Sequence, residues 1–213
     1  MENMTTKITS SYNNALDIKV VDGHFATNHS HINRYIDMTT IKSRRKMALA
    51  AAKSMATEYV ATTIVDTIVC MDGLEVIGAY LAEELTKAGV LSMNAHQTIY
   101  VITPEYTSGS QIILRDNLAP MVRGKHVLIL SASITTGYTV QAAIEAVNYY
   151  GGTVAGLSAI FATTHECLGI PVTSIFDPAS LPDYASFDSR DCPMCKAGQH
   201  IDALVNSFGY SAL

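Results

Sequence analysis

The chain has 213 residues, of which 48% are hydrophobic and 15% charged, so it can bury the core of one domain without disulfide bonds. Its 19 acidic residues outnumber its 14 basic ones, giving a formal net charge of -5, which argues against a nucleic-acid-binding surface. The sequence has no apolar run near the roughly 18 residues that span a bilayer and no signal-peptide pattern. We therefore expect a cytoplasmic protein with neither nucleic acid nor membrane as a partner.

The first part of the chain predicts a cap followed by a helix. Residues 1–42 are polar and lack a clear period, which is typical of a cap or edge segment. From Ser43, a candidate N-cap, apolar residues recur at helical spacing as far as Tyr59.

The next elements alternate between strand and helix. Residues 65–71 (VDTIVCM) predict a buried strand, and residues 74–88 a helix that Gly89 would end in a left-handed conformation. Residues 97–103 predict another strand. Residues 104–120 contain glycine, serine and both flanking prolines without a helical period, which predicts a long functional loop.

The second half of the chain continues this alternation. Residues 127–147 (VLILSASITTGYTVQAAIEAV) predict a strand, a short loop and an amphipathic helix, and residues 153–161 and 172–176 predict two further strands. This order favours an α/β domain with a parallel sheet covered by helices. In such sheets ligands bind at the carboxyl ends of the strands.

The loop between that strand and helix has the composition of a phosphate site. Thr135, Thr136, Gly137, Tyr138 and Thr139 offer hydroxyl donors, a glycine that permits close approach, and the unpaired N–H groups of a helix start. The same residues also suit an ordinary strand-to-helix turn capped by threonine, and their spacing does not separate the two interpretations. The loop is not a Walker motif, because GxxxxGK[ST] is absent.

The stretch resembles the phosphoribosyl-pyrophosphate signature of type I phosphoribosyltransferases, in which a hydrophobic strand precedes two acids, two variable residues and Thr-Thr-Gly-x-Thr. The resemblance implies that residues 135–139 hold a 5'-phosphate. It also places Ser131 and Ala132 at the two ribose-binding acid positions.

Other segments resemble the orotate branch of this family. Residues 22–38 (DGHFATNHSHINRYIDM) are similar to its N-terminal segment, and residues 191–198 (DCPMCKAG) to a tail found in some of its members. Residues 66–85 (DTIVCMDGLEVIGAYLAEEL) resemble the family's pyrophosphate loop and the helix after it. That resemblance places four residues on the pyrophosphate loop, namely Met71, Asp72, Gly73 and Leu74.

The resemblance implies a type I phosphoribosyltransferase fold, with a mostly parallel central sheet flanked by helices and a small N-terminal cap or hood. We therefore divide the single domain into a hood (residues 1–42), an α/β core (residues 43–176) and a C-terminal extension (residues 177–213). It further implies a homodimer and a Mg²⁺ cofactor.

The sequence departs from the family pattern at the expected ribose and pyrophosphate contacts. Ser131 can make only a neutral hydrogen bond and the Ala132 side chain none, and a lost hydrogen bond to a charged group costs about 1.5–3 kcal/mol, or roughly ten-fold to a hundred-fold in affinity. Residues 104–120 contain one candidate catalytic cation over the leaving group, Arg115, with Glu105 near the start of the loop. Asp72 can be an exposed loop acid or a metal ligand.

Two functions follow from this pattern. The first is a transferase that moves a 5-phosphoribosyl group from phosphoribosyl pyrophosphate to a pyrimidine-like base such as orotate, in pyrimidine biosynthesis. The second is a non-catalytic relative that binds a sugar phosphate or nucleotide. The family resemblance favours the first, and the missing acids favour the second.

The cysteines and histidines give a weaker signal. Cys192 and Cys195 have the spacing of half a zinc site, which His200, or His165 with Cys167, would have to complete, and packed thiols are the favoured interpretation. The stretch with His24, His29 and His31 lacks helical metal-ligand spacing and is interpreted as a polar surface segment.

Overall fold

The computed structural model describes residues 5–87, 92–95, 97–107 and 111–213. In chain order the elements of these residues are β1 (Thr5–Thr9), β2 (Asp17–Ala26), β3 (His31–Asp37), α1 (Thr39–Ser43), α2 (Arg45–Tyr59), β4 (Thr67–Cys70), α3 (Glu75–Lys87), β5 (Tyr100–Ile102), β6 (Glu105–Tyr106), β7 (Ile112–Ile113), a 3-10 turn (Ala119–Met121), β8 (His126–Ile134), α4 (Tyr138–Tyr149), β9 (Thr153–Ala162), β10 (Glu166–Cys167), β11 (Ile170–Phe176), β12 (Ser186–Phe187), α5 (Pro193–Lys196), β13 (Ala203–Asn206) and β14 (Gly209–Ala212).

The core sheet has the strand order β10-β11-β9-β8-β4-β5. All its neighbouring pairs are parallel except the edge pair of β10 and β11. The predicted α/β fold with a mostly parallel sheet is therefore confirmed. Because β4 and β8 are parallel neighbours, the loops that follow them lie side by side at one edge of the sheet.

Helices cover both faces of this sheet. Ile68 and Cys70 of β4 pack with α2 and α3, whereas Val69 between them packs with α4 on the opposite face. Residues that are buried on both faces explain why the strands read as continuous apolar runs rather than as alternating ones. Each fully buried aliphatic side chain contributes about 1.5–3 kcal/mol to folding.

The hood is a second sheet rather than the irregular cap that the sequence predicted for residues 1–42. Its order is β12-β3-β2-β13-β14, and β1 also pairs with β2. Strands β12, β13 and β14 come from residues 177–213, so the two ends of the chain build one sheet. The sequence did not reveal the strands of this segment because the apolar positions of β2 are irregularly spaced, with Val20 and Val21 both buried and a register shift between Asp22 and Phe25.

Several predicted boundaries need correction. Ser43 is the last residue of α1 and not an N-cap; α2 begins at Arg45 after Arg44, whose extended backbone interrupts the helical pattern. The predicted loop over residues 104–120 contains the hairpin of β6 and β7, with residues 108–110 outside the described part of the chain. Gly89, the predicted helix end, also lies outside it.

The interpretation of His24 as a surface residue is wrong, because its side chain has 0% exposure. His24 lies at the register shift of β2, where Oδ2 of Asp202 accepts a hydrogen bond from its backbone N–H at 2.7 Å. A bulge of this kind re-aims a side chain, in this case toward the protein interior. No helix among the described residues is both long and apolar enough to cross a membrane.

Candidate active site

A cavity of about 590 Å³ lies between the carboxyl ends of the core strands and the hood. Its lining comes from β3 and α1, from the ends of β4, β8 and β9, from the start of α4, and from the turn between β13 and β14. The cavity is therefore placed where parallel sheets bind their ligands, and its volume is that of a small-molecule site.

The loop of residues 135–139 forms one end of this cavity, and all five of its residues line it. Gly137 has a left-handed backbone with φ of 80°, which lets the chain turn from β8 into α4. The helix start has no side-chain cap, so the first N–H groups of α4 are available to an anion. Behind the loop, Thr163 Oγ1 donates a hydrogen bond to the Thr135 carbonyl at 3.0 Å and holds it in place.

Ser131 and Ala132, at the positions that the resemblance assigns to the ribose-binding acids, are both buried but differ in their access to the cavity. Ala132 lines the cavity, while Ser131 is fully buried and does not. Ser131 Oγ donates a hydrogen bond to Oδ2 of Asp72 at 2.9 Å, and the Ala132 backbone N–H donates to the same oxygen at 3.1 Å. The Asp72 carboxylate thus lies beside the two positions where the motif lacks its acids.

Asp72 reaches this place from the neighbouring strand. Cys70 of β4 pairs with Leu130 of β8. Two residues further along each chain segment, Asp72 and Ala132 therefore lie next to each other at the end of the sheet. Asp72 has a φ of 60°, a left-handed conformation that aspartate tolerates better than most residues. Its other carboxylate oxygen, Oδ1, has no hydrogen-bond partner among the described residues, and Asp72 lines the cavity.

The other residues predicted for the pyrophosphate loop lie elsewhere. Met71 and Leu74 are fully buried, and Gly73 has a left-handed φ of 75° that completes the turn after β4. Of the predicted residues 71–74, Asp72 alone lines the cavity.

Lys42 is a cavity cation that the sequence did not single out. From α1, its Nζ donates hydrogen bonds to the backbone carbonyls of Asp72, at 3.0 Å, and of Ser207. Burial lowers the pKa of Lys42 below its ordinary value of 10.5, against the opposing effect of nearby acids, chiefly Asp72. Burial and the charge of Asp72 also raise the pKa of Tyr106, another cavity residue, to about 12.

Arg115, the predicted catalytic cation, is outside the cavity lining. Its guanidinium makes a forked, exposed ion pair with Glu105 of β6, with Nη2 at 2.6 Å from Oε2. The hydrogen bond from Arg115 lowers the pKa of Glu105. The pair is exposed to solvent, and the catalytic role of Arg115 stays a prediction.

The cavity lining also contains aromatic side chains and one guanidinium. Phe161, which is fully buried, and Tyr184 make an edge-to-face pair with ring centroids 5.1 Å apart, and Phe208 also belongs to the lining. Arg34 of β3 also lines the cavity, while its Nε contacts Asp22 at 2.7 Å. Such walls suit a planar ring that carries a negative group.

No local sequence signal points to Lys42, Arg34 or Phe208 as cavity residues. The basic run that begins at Lys42 resembles a solvated helix start, Arg34 is a single charge on a strand, and Phe208 lies far along the chain in the C-terminal hairpin. Their place in the cavity lining follows from the pairing of β2 with β13 and the packing of α1 against the core.

Curated relatives with detectable sequence similarity are orotate phosphoribosyltransferases. The chain is 26% identical to the enzyme of Pelotomaculum thermopropionicum over 181 residues, which cover 84% of this chain and 86% of that one. It is also 26% identical to the enzyme of Chlorobaculum parvum over 186 residues, covering 86% and 88%. No protein-family model matches the chain.

Solved structures with the same fold include UMP synthase of Leishmania donovani, with a TM-score of 0.55 and 18% identity, covering 76% of this chain and 34% of that one. Another is Mycobacterium tuberculosis orotate phosphoribosyltransferase in complex with 5-phospho-α-D-ribosyl 1-diphosphate, with a TM-score of 0.50 and 17% identity, covering 69% and 82%. These similarities confirm the predicted fold class and the predicted resemblance.

Proposed function

We propose that this protein, which has the type I phosphoribosyltransferase fold and resembles orotate phosphoribosyltransferases in sequence, transfers a 5-phosphoribosyl group from phosphoribosyl pyrophosphate to a pyrimidine-like base such as orotate. The observation that carries the proposal is that the loop of residues 135–139 and the Asp72 carboxylate line one cavity. A 5'-phosphate and a ribose hydroxyl are the groups that these two features fit.

The reaction needs three kinds of support. A base nitrogen gives up its proton to solvent and forms a bond to C1 of the ribose while the bond from C1 to the pyrophosphate oxygen breaks, and the pyrophosphate leaves with the electron pair of that bond. Positive charge develops on the ribose ring as the leaving group departs. The protein must therefore hold the phosphate, stabilise the ring and accept the leaving charge.

Asp72 takes over the task of the missing ribose-binding acids. Ser131 Oγ and the Ala132 N–H both donate to its Oδ2, so the carboxylate is held against the strand that normally carries the acids. Oδ1 has no partner within the described residues and is free to accept a hydrogen bond from a ribose hydroxyl. A hydrogen bond to a charged group contributes about 1.5–3 kcal/mol, which is what the loss of the motif acids removed.

The leaving pyrophosphate has two candidate cations in the chain. Lys42 lines the cavity and stays beside Asp72, and Arg115 can leave Glu105 to join it. A carboxylate beside a diphosphate is also a fitting environment for Mg²⁺, which takes oxygen ligands from one or two carboxylates and the substrate phosphates. When bound, Mg²⁺ neutralises the diphosphate, and Asp72 is the residue of this site that would hold it.

The base is proposed to lie between the aromatic walls of the hood side. Tyr184 and Phe208 provide aromatic faces for a planar ring, and Arg34 provides a positive group for a carboxylate such as that of orotate. Arg34 already contacts Asp22 and Asp183, which fixes its guanidinium before a ligand arrives.

Turnover with a panel of bases tests the function. The purified protein is incubated with phosphoribosyl pyrophosphate, Mg²⁺ and orotate, uracil, adenine or guanine in turn, while pyrophosphate release is followed. We expect turnover with orotate. In the variant with Thr136→Ala and Thr139→Ala we expect the affinity for the diphosphate sugar to fall about ten-fold or more, because each lost hydrogen bond to the phosphate dianion costs about 1.5–3 kcal/mol.

The matched control replaces two threonines outside the cavity, Thr57→Ala with Thr62→Ala, whose hydroxyls donate to local carbonyls near the end of α2. This control should bind like the original protein. Binding of the diphosphate sugar without turnover of any base would contradict the proposed transferase activity. It would favour the second candidate function, a non-catalytic relative that binds a sugar phosphate or nucleotide. Equal binding by both double variants would show that the loop does not hold the phosphate.

A further inference from the structure

A cluster of four metal-ligand side chains lies outside the cavity, between the hood and the C-terminal segment. His24 of β2, His31 of β3, Cys192 and Cys195 place one ligand atom each within 4.8 Å of every other. The geometry points to a structural Zn²⁺ site in which Nε2 of His24, Nδ1 of His31 and the two Sγ atoms are the ligands. This inference does not depend on the function of the cavity.

Four of the six distances between these atoms are close to the edges of a zinc tetrahedron, and the other two are below 4.8 Å. With Zn–N bonds of about 2.05 Å and Zn–S bonds of about 2.3 Å, tetrahedral angles require N···N near 3.3 Å and N···S near 3.6 Å, both approximate. Nε2 of His24 lies 3.1 Å from Nδ1 of His31 and 3.6 Å from each sulfur, and Sγ of Cys195 lies 3.3 Å from Nδ1 of His31. Four soft or borderline ligands at this spacing select zinc over Mg²⁺ or Ca²⁺.

The ring of His24 is oriented for metal binding. Its Nδ1 lies 3.0 Å from the backbone carbonyl of Gln199, and because a carbonyl only accepts, Nδ1 must carry the proton. In the neutral ring Nε2 therefore presents a lone pair. This atom faces three others at once, namely Nδ1 of His31 and the Sγ atoms of Cys192 and Cys195. The lone pair can accept a hydrogen bond from one of these neighbours, whereas a cation in the middle of the cluster can be coordinated by all four atoms. A carbonyl that fixes the tautomer of a ligating histidine is the usual outer partner in zinc sites.

Hydrogen bonds of the surrounding chain hold the ligands together. Asp202 exchanges backbone and side-chain hydrogen bonds with His24 at 2.7 Å, and β13 begins at the next residue, Ala203, opposite Phe25. The proposed ion thus joins β2 and β3 to the segment with Cys192 and Cys195, which leads into β13. The turn after β13 supplies Phe208 to the cavity, so the ion would stabilise one wall of it.

Metal analysis of the full-length protein, produced without an affinity tag that binds metal, tests the site. We expect about one zinc per chain by elemental analysis. After removal by a chelator, added Co²⁺ should give the visible bands of tetrahedral cobalt together with thiolate-to-cobalt charge transfer. Cys195 is exposed, so Cys195→Ser should fold, lose the charge transfer of one thiolate and weaken metal binding more than about ten-fold.

The control variant is Cys167→Ser, which removes a partly exposed thiol outside the cluster and should keep full metal content and the cobalt spectrum. A protein without zinc that gives no cobalt–thiolate charge transfer would overturn the proposal. So would a loss of metal in Cys167→Ser as large as in Cys195→Ser. If Cys195→Ser does not fold, the cobalt spectrum of the unaltered chain decides, since it requires thiolates and tetrahedral geometry together.

Discussion

Among the single side chains, Asp72 combines the features that a functional acid requires. Its left-handed backbone is unusual for a residue other than glycine, and its Oδ2 is held by Ser131 and by the Ala132 N–H. A left-handed conformation costs roughly 1–2 kcal/mol, and such strain persists at sites where the surrounding structure fixes it. The sequence offered Asp72 as a loop acid or a metal ligand; the structure adds that it lies beside the empty acid positions.

The substitution Asp72→Asn isolates the charge of this residue. Asparagine also tolerates the left-handed backbone, and its side-chain oxygen can accept the hydrogen bonds from Ser131 and Ala132, so the fold should be kept. We expect kcat/KM for phosphoribosyl pyrophosphate to fall by about ten-fold to a hundred-fold, because a hydrogen bond to a charged acceptor is lost. Steady-state kinetics with orotate, at saturating Mg²⁺, measures this change.

Glu75→Gln is the matched control, since Glu75 begins α3 a few residues away and its carboxylate accepts a hydrogen bond from Thr103 at 2.9 Å without lining the cavity. Its kinetics should match those of the original protein. Unchanged kcat/KM in Asp72→Asn, or an equal fall in Glu75→Gln, would remove Asp72 from the reaction. In a protein without turnover, calorimetric binding of the diphosphate sugar replaces the kinetic measurement.

At the scale of secondary-structure elements, α3 packs closely on β4, and Asp72 lies in the turn that joins them. A Cβ atom on Gly78 of α3 would overlap the Sγ atom of Cys70, the last residue of β4. The glycine thus lets the helix lie directly on the strand. Burial raises the pKa of the Cys70 thiol to about 12, so this cysteine packs as a small neutral hydrophobe.

Gly78→Ala should therefore destabilise the protein by about 1–3 kcal/mol through overpacking, although alanine favours a helix by about 0.8–1 kcal/mol over glycine. Removing the opposing atom with Cys70→Ala should make room for the new methyl group. We expect Gly78→Ala to cost less in the Cys70→Ala background than in the original chain. Urea unfolding of the four proteins of this cycle measures the coupling, and equal costs in both backgrounds would contradict the packing argument.

For the protein as a whole, the cavity depends on segments that are distant in the chain. Lys42 of α1 donates hydrogen bonds to the carbonyls of Asp72, after β4, and of Ser207, after β13. A ligand in the cavity would contact the hood, the core and the C-terminal hairpin together. Its binding should therefore stabilise the entire fold and not one loop of it.

We expect phosphoribosyl pyrophosphate with Mg²⁺ to raise the melting temperature of the original chain. At a ligand concentration of 100 times Kd, the stabilisation is about 2.7 kcal/mol. In the variant with Thr136→Ala and Thr139→Ala, the same concentration should give a smaller rise, because the affinity is lower. Calorimetric melting with and without ligand measures both, and an equal rise in the two proteins would place the ligand elsewhere.

Much of the core was predictable because its signals are local. The alternation of strand and helix, the loop of residues 135–139 and its place at the carboxyl end of a strand each depend on residues that are close in sequence. The hood was not predictable in this way. Its sheet pairs β2 with β13, and no local period shows which distant strands will meet.

The sequence by itself determined the parallel core and the place of residues 135–139 between a strand and a helix, since hydrophobic period and turn chemistry act over a few residues. Only the tertiary structure decided which polar groups meet: Asp72 with Ser131, Lys42 with Ser207, and His24 with Cys192 and Cys195. The physical reason is that strand pairing and the bulge in β2 bring these groups together across as many as 171 residues. Contacts between residues so far apart in the chain produce no local pattern in the sequence.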